Sequence, residues 1–137
     1  MRRNTMAIID GFNRMDTLSV LAFRAPNFTR EILPSSLGVP VQDSAGFQRS
    51  LNMSRAVFHS FSLVVNDMLE DGPARKVCLW LTAEANTVAG PFRWEMVWSF
   101  KFDDAGRQVV HWREFVESSV NFADFIPSMS PTPLPTV

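Results

Sequence analysis

Two alternating segments joined by a short turn constrain the fold of this chain most strongly. The first segment runs from Phe92 to Phe102, and the second runs from Val109 to Val116. Both alternate largely between apolar and polar residues, which is typical of a half-buried β-strand. The intervening Asp103-Asp104-Ala105-Gly106 has Asp and Gly where a type I turn followed by a left-handed glycine requires them. The two segments therefore predict a β-hairpin.

The turn also predicts the register of this hairpin, because a three-residue loop pairs Asp103 with Arg107. Counting along the ladder from that pair places Met96 opposite Glu114, Trp98 opposite Trp112, and Arg93 opposite Glu117. One face then combines apolar residues with a carboxylate: Phe92, Trp94, Met96, Trp98, Phe100, Val110, Trp112, Glu114 and Val116. The other face is mixed and carries Arg93, Glu95, Val97, Lys101, His111, Arg113 and Glu117.

Glu114 is the candidate catalytic residue because it lies on the apolar face. Burial among aromatic side chains disfavours the charged form of a carboxylate, and such a group suits general acid–base chemistry. The alternative is that an arginine or a backbone amide satisfies Glu114, which would make its role structural. The sequence leaves both alternatives open.

Composition narrows the class of protein. The chain has 137 residues, of which 46% are hydrophobic and 20% charged, enough for one globular domain with a core. Its net charge of −1 offers no basic surplus for binding nucleic acid. The single cysteine, Cys78, excludes an internal disulfide and a multi-cysteine zinc site. No apolar run approaches the ~20 residues of a membrane span. We therefore expect a cytoplasmic protein without a membrane or nucleic-acid partner.

Three helices are predicted before the first strand. The first covers about residues 5–14, and Asp16 caps the second, which Pro26 ends. Asp43 or Ser44 caps the third, which continues to about His59. Capping explains Asp16 better than a catalytic role does, because an Asp before a helix accepts bonds from backbone amides.

Strands dominate the rest of the chain. Residues 61–69 and 74–87 are predicted strands, followed by the hairpin and by a short helix over residues 121–128. This order predicts an α+β domain over residues 1–126, in which helices cover one face of a curved antiparallel sheet. Residues 127–137 form a proline-rich tail. The aromatic hairpin face would then line a pocket or fill a hydrophobic core.

Several motifs carry a resemblance to a known family. They are Gly11-Phe12-Asn13-Arg14-Met15-Asp16, Arg24-Ala25-Pro26, Ile32-Leu33-Pro34-Ser35-Ser36-Leu37, Ala74-Arg75-Lys76-Val77, Gly90-Pro91-Phe92-Arg93-Trp94-Glu95 and Glu114-Phe115-Val116-Glu117-Ser118. In order and spacing, the chain resembles the SnoaL-like branch of the nuclear-transport-factor-2-like superfamily over roughly residues 7–125. It is similar in particular to small fungal isomerases and cyclases of meroterpenoid and indole-alkaloid biosynthesis.

The resemblance implies a cone-shaped α+β fold, a homodimer and a cofactor-free pocket for a polycyclic small molecule. It implies that Glu114 is the acid–base residue and that Arg24, at the end of the second helix, is a pocket cation. The expected substrate-binding wall consists of Phe92, Trp94, Met96, Trp98 and Trp112. Relatives often place tyrosines at the positions of Phe92 and Met96, whereas this chain has no tyrosine, so a phenol-dependent mechanism is not expected.

Alternatives remain for the role of Arg24 and for the function. Arg24 could equally be a surface cation near a helix C-terminus, where the helix dipole favours it. His111 is predicted on the outer face, at the surface or in a dimer contact. The expected function is a cofactor-independent isomerase or cyclase that rearranges a secondary-metabolite intermediate. The alternatives are a non-catalytic small-molecule binding protein and a dimerising scaffold.

Overall fold

The computed structural model describes residues 1–117, and in that part of the chain the fold is α+β. The predicted helix at 121–128 and the proline-rich tail lie outside the described residues. The helices and strands are α1 (Arg2–Asn13), α2 (Thr17–Leu21), β1 (Arg24–Leu33), β2 (Gln42–Asp43), α3 (Ser44–Val57), β3 (Phe58–Asp71), β4 (Lys76–Thr87), β5 (Gly90–Phe102) and β6 (Val109–Val116), with a short 3₁₀ helix at Ser35–Leu37.

The six strands form one curved sheet in the order β2-β1-β6-β5-β4-β3. Neighbouring strands are antiparallel except β1 and β6, which run parallel. The expectation of an antiparallel sheet is therefore wrong at this one junction. Parallel neighbours need a long crossover connection, and α3 together with β3, β4 and β5 provides it here.

The second and third helices begin where the sequence predicts, whereas the first begins at Arg2, ahead of the predicted start near residue 5. The Asp16 carboxylate caps α2 by accepting a hydrogen bond from the Ser19 N–H at 3.2 Å. The Asp43 carboxylate caps α3 in the same way, with the Gly46 N–H at 2.8 Å. Gly11 lets α1 approach α2, because a Cβ at this position would lie 2.9 Å from the Val20 side chain.

The second helix ends earlier than predicted. It stops at Leu21, and β1 begins at Arg24, ahead of Pro26. From Phe28 to Leu33, fully buried residues alternate with less buried ones, because the strand places successive side chains on opposite faces. Pairing with β6 thus gives a strand conformation to a segment that local sequence signals predict as the end of a helix.

The turn between β5 and β6 forms as predicted, but the ladder closes one residue later. The Gly106 N–H donates to the Asp103 carbonyl at 2.9 Å, and Gly106 has a φ of 69°. The Asp103 N–H donates at 2.9 Å to the carbonyl of Gln108 and not to that of Arg107. The Asp103 carboxylate accepts a bond from the Arg107 N–H at 2.9 Å, which holds this longer loop in place.

A bulge in β6 shifts the register by one more residue. Phe102 pairs with Val109 and Lys101 pairs with His111, so Val110 is the extra residue. The observed partners replace the predicted ones: Met96 with Val116, Trp98 with Glu114, and Phe100 with Trp112. Because the shift totals two residues, β5 and the part of β6 beyond the bulge keep their predicted faces. Before the bulge, Val109 is buried in place of Val110.

The predicted charge pair between Arg93 and Glu117 is also wrong. The Arg93 Nε lies 3.4 Å from the Glu84 Oε1 on β4. The Glu117 N–H donates to the Glu95 carbonyl at 3.1 Å, which is the position that the shifted register gives it.

The core lies between the inner face of the sheet and the helices. Trp112 is at its centre, with ring centroids at 4.4 Å from Phe100, 4.9 Å from Trp98 and 5.1 Å from Phe47. The Asn13 side chain fixes α1 to β3, because it accepts from the Leu63 N–H at 2.6 Å and donates to the Leu63 carbonyl at 3.2 Å. None of the helices within residues 1–117 has the length and apolar character needed to cross a membrane.

Candidate active site

A cleft of about 90 Å³ lies between the helices and the inner face of the sheet. Its lining is largely apolar, and its polar side chains are either buried, as in Arg30 and Glu114, or at least partly exposed. The lining residues are Gly11, Phe12, Met15, Asp16, Thr17, Val20, Arg30, Ser50, Leu51, Ser54, Arg55, Phe58, Phe61, Trp94, Met96, Trp98 and Glu114.

A buried ion pair forms the inner end of this cleft. Arg30 on β1 donates to the Glu114 Oε1 on β6 through its Nη2 at 2.6 Å and its Nε at 3.1 Å. Only 6% of Arg30 and 4% of Glu114 is exposed. Charges this deeply buried need a partner, and each residue provides the partner of the other.

The parallel pairing of β1 with β6 brings the two side chains together. Arg30 lies opposite Trp112, and Ile32 lies opposite Glu114. Arg30 and Glu114 therefore project from the same face of the sheet, as diagonal neighbours offset by two residues along the strands. The Arg30 guanidinium also lies 5.0 Å from the centroid of the Phe47 ring, within range of a cation–π contact. The orientation of the guanidinium is thus fixed by Glu114 on one side and by an aromatic ring on another.

A short polar chain continues from Arg30 to helix α3. The Arg30 Nη1 donates to the Gln42 Oε1 at 2.7 Å, and the Gln42 Nε2 donates to the Ser50 Oγ at 2.7 Å. At the other end, the Glu114 Oε1 accepts both bonds from Arg30, while its Oε2 accepts no hydrogen bond from residues 1–117. Since Glu114 lines the cleft, its Oε2 is the carboxylate oxygen that a ligand can use.

Glu114 is therefore on the predicted face but is not a lone carboxylate. An arginine satisfies it, which was the structural alternative considered from the sequence. Sequence reasoning missed Arg30, because residues 27–33 received no strand assignment. The alternation Phe28-Thr29-Arg30-Glu31-Ile32 after Pro26 is the signal that could have revealed both the strand and the inward position of Arg30.

Arg24 does not line the cleft, and its predicted position at a helix end is corrected by the structure. Arg24 is the first residue of β1, where its Nε donates to the Leu21 carbonyl at 3.0 Å and its Nη1 donates to the Ser44 carbonyl at 2.8 Å. Leu21 ends α2 and Ser44 begins α3, so Arg24 joins these two helices. The cation at the inner end of the cleft is Arg30.

The predicted aromatic wall divides into three parts. Trp94, Met96 and Trp98 line the cleft. Trp112 lies behind them in the core and is only 1% exposed. Phe92 borders a separate depression of about 340 Å³ near the start of β5. Sequence reasoning missed the opposite wall, which α1 and β3 provide through Phe12, Phe58 and Phe61.

Asp16 lies at the mouth of the cleft and acts as a helix cap. The hydrogen bonds from the Ser19 hydroxyl at 2.6 Å and from the Ser19 N–H at 3.2 Å lower the pKa of the Asp16 carboxyl. A carboxylate held in its charged form by its own helix is a poor proton donor. The structure thus agrees with the preference for capping over catalysis.

The outer face of the sheet carries a second polar group. The His111 Nδ1 lies 2.8 Å from the Thr29 Oγ1, and the His111 Nε2 lies 3.5 Å from the Glu31 Oε1. The Arg113 Nε donates to the same Glu31 oxygen at 3.1 Å. His111 is therefore on the face opposite Glu114, as predicted.

Known proteins resemble the chain along most of its length, although no protein-family model matches it. Core atranone cluster protein 11 of Stachybotrys chlorohalonatus is 31% identical over 119 residues, covering 87% of this chain and 89% of its own length. Austinoid biosynthesis clusters protein H of Emericella nidulans is 32% identical over 127 residues, covering 90% of this chain and 73% of its own length.

The crystal structure of the BvnE pinacolase of Penicillium brevicompactum superimposes with a TM-score of 0.80 at 18% identity, covering 85% of this chain and 84% of its own. At that identity the likeness shows a common fold. The two sequence relatives support a role in natural-product biosynthesis.

Proposed function

Since the chain belongs to the SnoaL-like fungal biosynthetic proteins of the nuclear-transport-factor-2-like superfamily, we propose that it is a cofactor-independent isomerase or cyclase. Its substrate would be a polycyclic intermediate of secondary metabolism. The observation that carries the proposal is the Glu114 carboxylate, which reaches an apolar cleft with one oxygen bound to Arg30 and the other unoccupied by residues 1–117.

Glu114 would begin the reaction as a base. Both hydrogen bonds from Arg30 go to the Glu114 Oε1, and this double contact fixes the orientation of the carboxylate. The Oε2 would take a proton from a carbon or hydroxyl group of the substrate and return it at another atom of the same molecule. The proton count and the oxidation state of the substrate then balance without a co-reactant.

The apolar walls would hold the hydrocarbon part of the substrate. Trp94 and Trp98 present aromatic surfaces on which a developing positive charge is stabilised by cation–π contact. A volume of about 90 Å³ encloses only part of a polycyclic skeleton, so the reacting end would enter the cleft and the rest would remain at its mouth. In this proposal the three helices form the roof of a cone-shaped cavity.

Replacing Glu114 with Gln tests the proposal. The purified protein is incubated with the intermediates that accumulate in a fungus lacking this gene, and the products are separated by liquid chromatography and mass spectrometry. Wild type should give a product of unchanged mass and new retention time. E114Q should form this product about 10²–10⁴-fold more slowly, as expected for loss of a general acid–base group. The control is E84Q, which changes an exposed carboxylate paired with Arg93. Full turnover by E114Q would overturn the assignment.

A non-catalytic binding protein is the alternative function. The observation that favours it is that the Glu114 Oε1 already belongs to a hydrogen-bonded chain through Arg30 and Gln42, as in a structural network. In that case the ligand would be recovered chemically unchanged, and its affinity would not respond to E114Q. A dimerising scaffold would show neither turnover nor ligand binding.

We also propose that two copies of the chain associate through the outer faces of their sheets. Phe115, Val97 and Trp80 are paired across β6, β5 and β4, and they form an apolar row in which Phe115 is 53% and Trp80 40% exposed. A two-fold interface would bury this row against its own copy. Light scattering should find a dimer that F115D converts to a monomer, whereas V88D, at a 74% exposed turn residue, should leave it intact. A monomeric wild type would contradict this proposal.

A further inference from the structure

A hydrogen-bonded chain leads from the buried ion pair to the cleft wall on α3. It begins at Glu114, passes through Arg30 and the Gln42 side chain, and ends at the Ser50 hydroxyl, with both bonds of Gln42 at 2.7 Å. Ser50 lines the same cleft as Glu114. The chain thus connects two polar groups that face one apolar space from β6 and from α3.

The direction of this chain is fixed by chemistry. A guanidinium only donates hydrogen bonds, so the Gln42 atom that faces Arg30 must be its carbonyl oxygen. The Gln42 amide nitrogen therefore faces Ser50 and donates to its Oγ. With one Oγ lone pair accepting from Gln42, the hydroxyl group still has its own hydrogen to donate.

The Ser50 hydroxyl has no acceptor among residues 1–117. It makes no bond to a carbonyl of the preceding helical turn, which is the usual partner of a serine within a helix. Each bond in a chain of this kind polarises the next, and a hydroxyl that accepts from Gln42 is a stronger donor for that reason. A donor without a protein acceptor on a mostly apolar wall favours ligands that carry an acceptor over ligands that do not.

We propose that the Ser50 hydroxyl donates to a carbonyl or hydroxyl oxygen of the ligand and selects oxygen-bearing ring systems over hydrocarbons. Ser50 is then a specificity-determining residue, and Gln42 is a positioning residue that acts through it. The inference rests on the proposed function, because it takes the cleft to be the ligand site. It adds that the substrate carries an oxygen where its ring system meets α3.

Ser54 provides a matched control within the same helix. It lies four residues after Ser50, hence on the same face of α3, and it also lines the cleft. Its hydroxyl makes no hydrogen bond to residues 1–117, and Gln42 binds Ser50 instead. S50A and S54A make the same Ser-to-Ala change within α3. Only S50A removes the hydroxyl that accepts the hydrogen bond from Gln42.

The experiment compares two probes that share one ring system, 1-tetralone and tetralin, of which only the ketone carries an acceptor. Dissociation constants of both are measured by ¹⁵N–¹H NMR titration of the full chain and of S50A, S54A, Q42M and S50A/Q42M. We expect S50A to weaken 1-tetralone binding about fivefold to tenfold, the worth of one hydrogen bond. Tetralin binding should change less than about twofold, because the hydrocarbon makes no such bond.

The control variants sharpen the assignment. S54A should leave the affinity ratio of ketone to hydrocarbon unchanged. Q42M should lower that ratio, and S50A/Q42M should lower it no further than S50A does, because the two residues act in series. Thermal unfolding of each variant identifies general destabilisation, which would affect both probes alike and would leave the ratio unchanged.

Two results would overturn the inference in distinguishable ways. If both probes bind and S50A leaves the ratio unchanged, or S54A lowers it as much as S50A does, Ser50 is not the donor, while the proposed function is unaffected. If neither probe causes shifts at residues lining the cleft, the cleft is not a site for such ring systems. This inference and the proposed function would then both fail.

Discussion

Two Arg–Glu pairs on β1 and β6 differ mainly in the face that carries them. Arg30 and Glu114 lie 2.6 Å apart on the inner face, with side chains 7% and 5% exposed. The next residue on β1, Glu31, and the preceding residue on β6, Arg113, lie 3.1 Å apart on the outer face, with side chains 32% and 49% exposed. Both pairs join an arginine guanidinium to a glutamate carboxylate. Burial therefore decides which pair constrains the site and which is screened by solvent.

Breaking the inner pair should have the largest effect on stability. Substitution of Arg30 with Met leaves the Glu114 carboxylate buried without its partner, which should cost about 3–5 kcal/mol in the free energy of unfolding. The outer counterpart, R113M, exposes its partner carboxylate to water and should cost at most about 1 kcal/mol. Urea unfolding of both variants measures the difference. Equal losses in the two variants would mean that burial does not distinguish the pairs.

Removing both inner charges together should restore most of the lost stability. In R30M/E114L no buried charge remains, and well-packed apolar replacements of buried ion pairs are often neutral or stabilising. We therefore expect unfolding within about 2 kcal/mol of wild type, although the double variant should have no catalytic turnover. A double variant as unstable as R30M would show that packing around Arg30, including its contact with Phe47, outweighs the charge.

The features that could be predicted from the sequence are those set by residues close together along the chain. The caps at Asp16 and Asp43 and the faces of β5 depend on neighbouring residues, and local patterns specify them. The inward position of Glu114 followed from the same alternation. These features needed no knowledge of the partner strand.

The partner of Glu114 could not be predicted in this way. Arg30 and Glu114 are 84 positions apart, and they meet only because β1 inserts beside β6 in parallel. The bulge at Val110 likewise has no clear local signal in the sequence. It changes the predicted pairing of β5 with β6, but the residues beyond it remain on their predicted faces of the sheet. The family resemblance implies Arg24 as the pocket cation, whereas the strand geometry places Arg30 at the cleft.

Replacing Arg24 should lower the free energy of unfolding less than replacing Arg30 does. Arg24 donates to two backbone carbonyls, those of Leu21 and Ser44, and has no carboxylate partner among residues 1–117. R24M removes these hydrogen bonds without leaving a buried charge, so we expect a loss of about 1–2 kcal/mol. Because Arg24 is outside the cleft, the affinity for 1-tetralone should stay unchanged. A selective loss of affinity with unchanged stability would instead support a role at the site.

The smallest expected effect concerns an exposed carboxylate and its dependence on pH. Hydrogen bonds from backbone N–H groups, that of Arg107 first, lower the pKa of Asp103 below its usual value of 3.8. A pKa lowered by folding contributes stability above the unfolded pKa, and that contribution is lost as the pH falls through the folded value. D103N should therefore reduce the loss of thermal stability between about pH 5 and pH 2.

The neighbouring Asp104 is the matched control for this titration, because its carboxylate accepts no hydrogen bond from residues 1–117. D104N removes the same charge from the same turn, so both variants change the net charge equally. If D104N reduces the loss of stability in acid as much as D103N does, overall charge rather than the Asp103 hydrogen bonds causes the pH dependence. If only D103N does so, the turn that closes the hairpin contributes to acid stability through those backbone contacts, independently of the buried pair on the inner face.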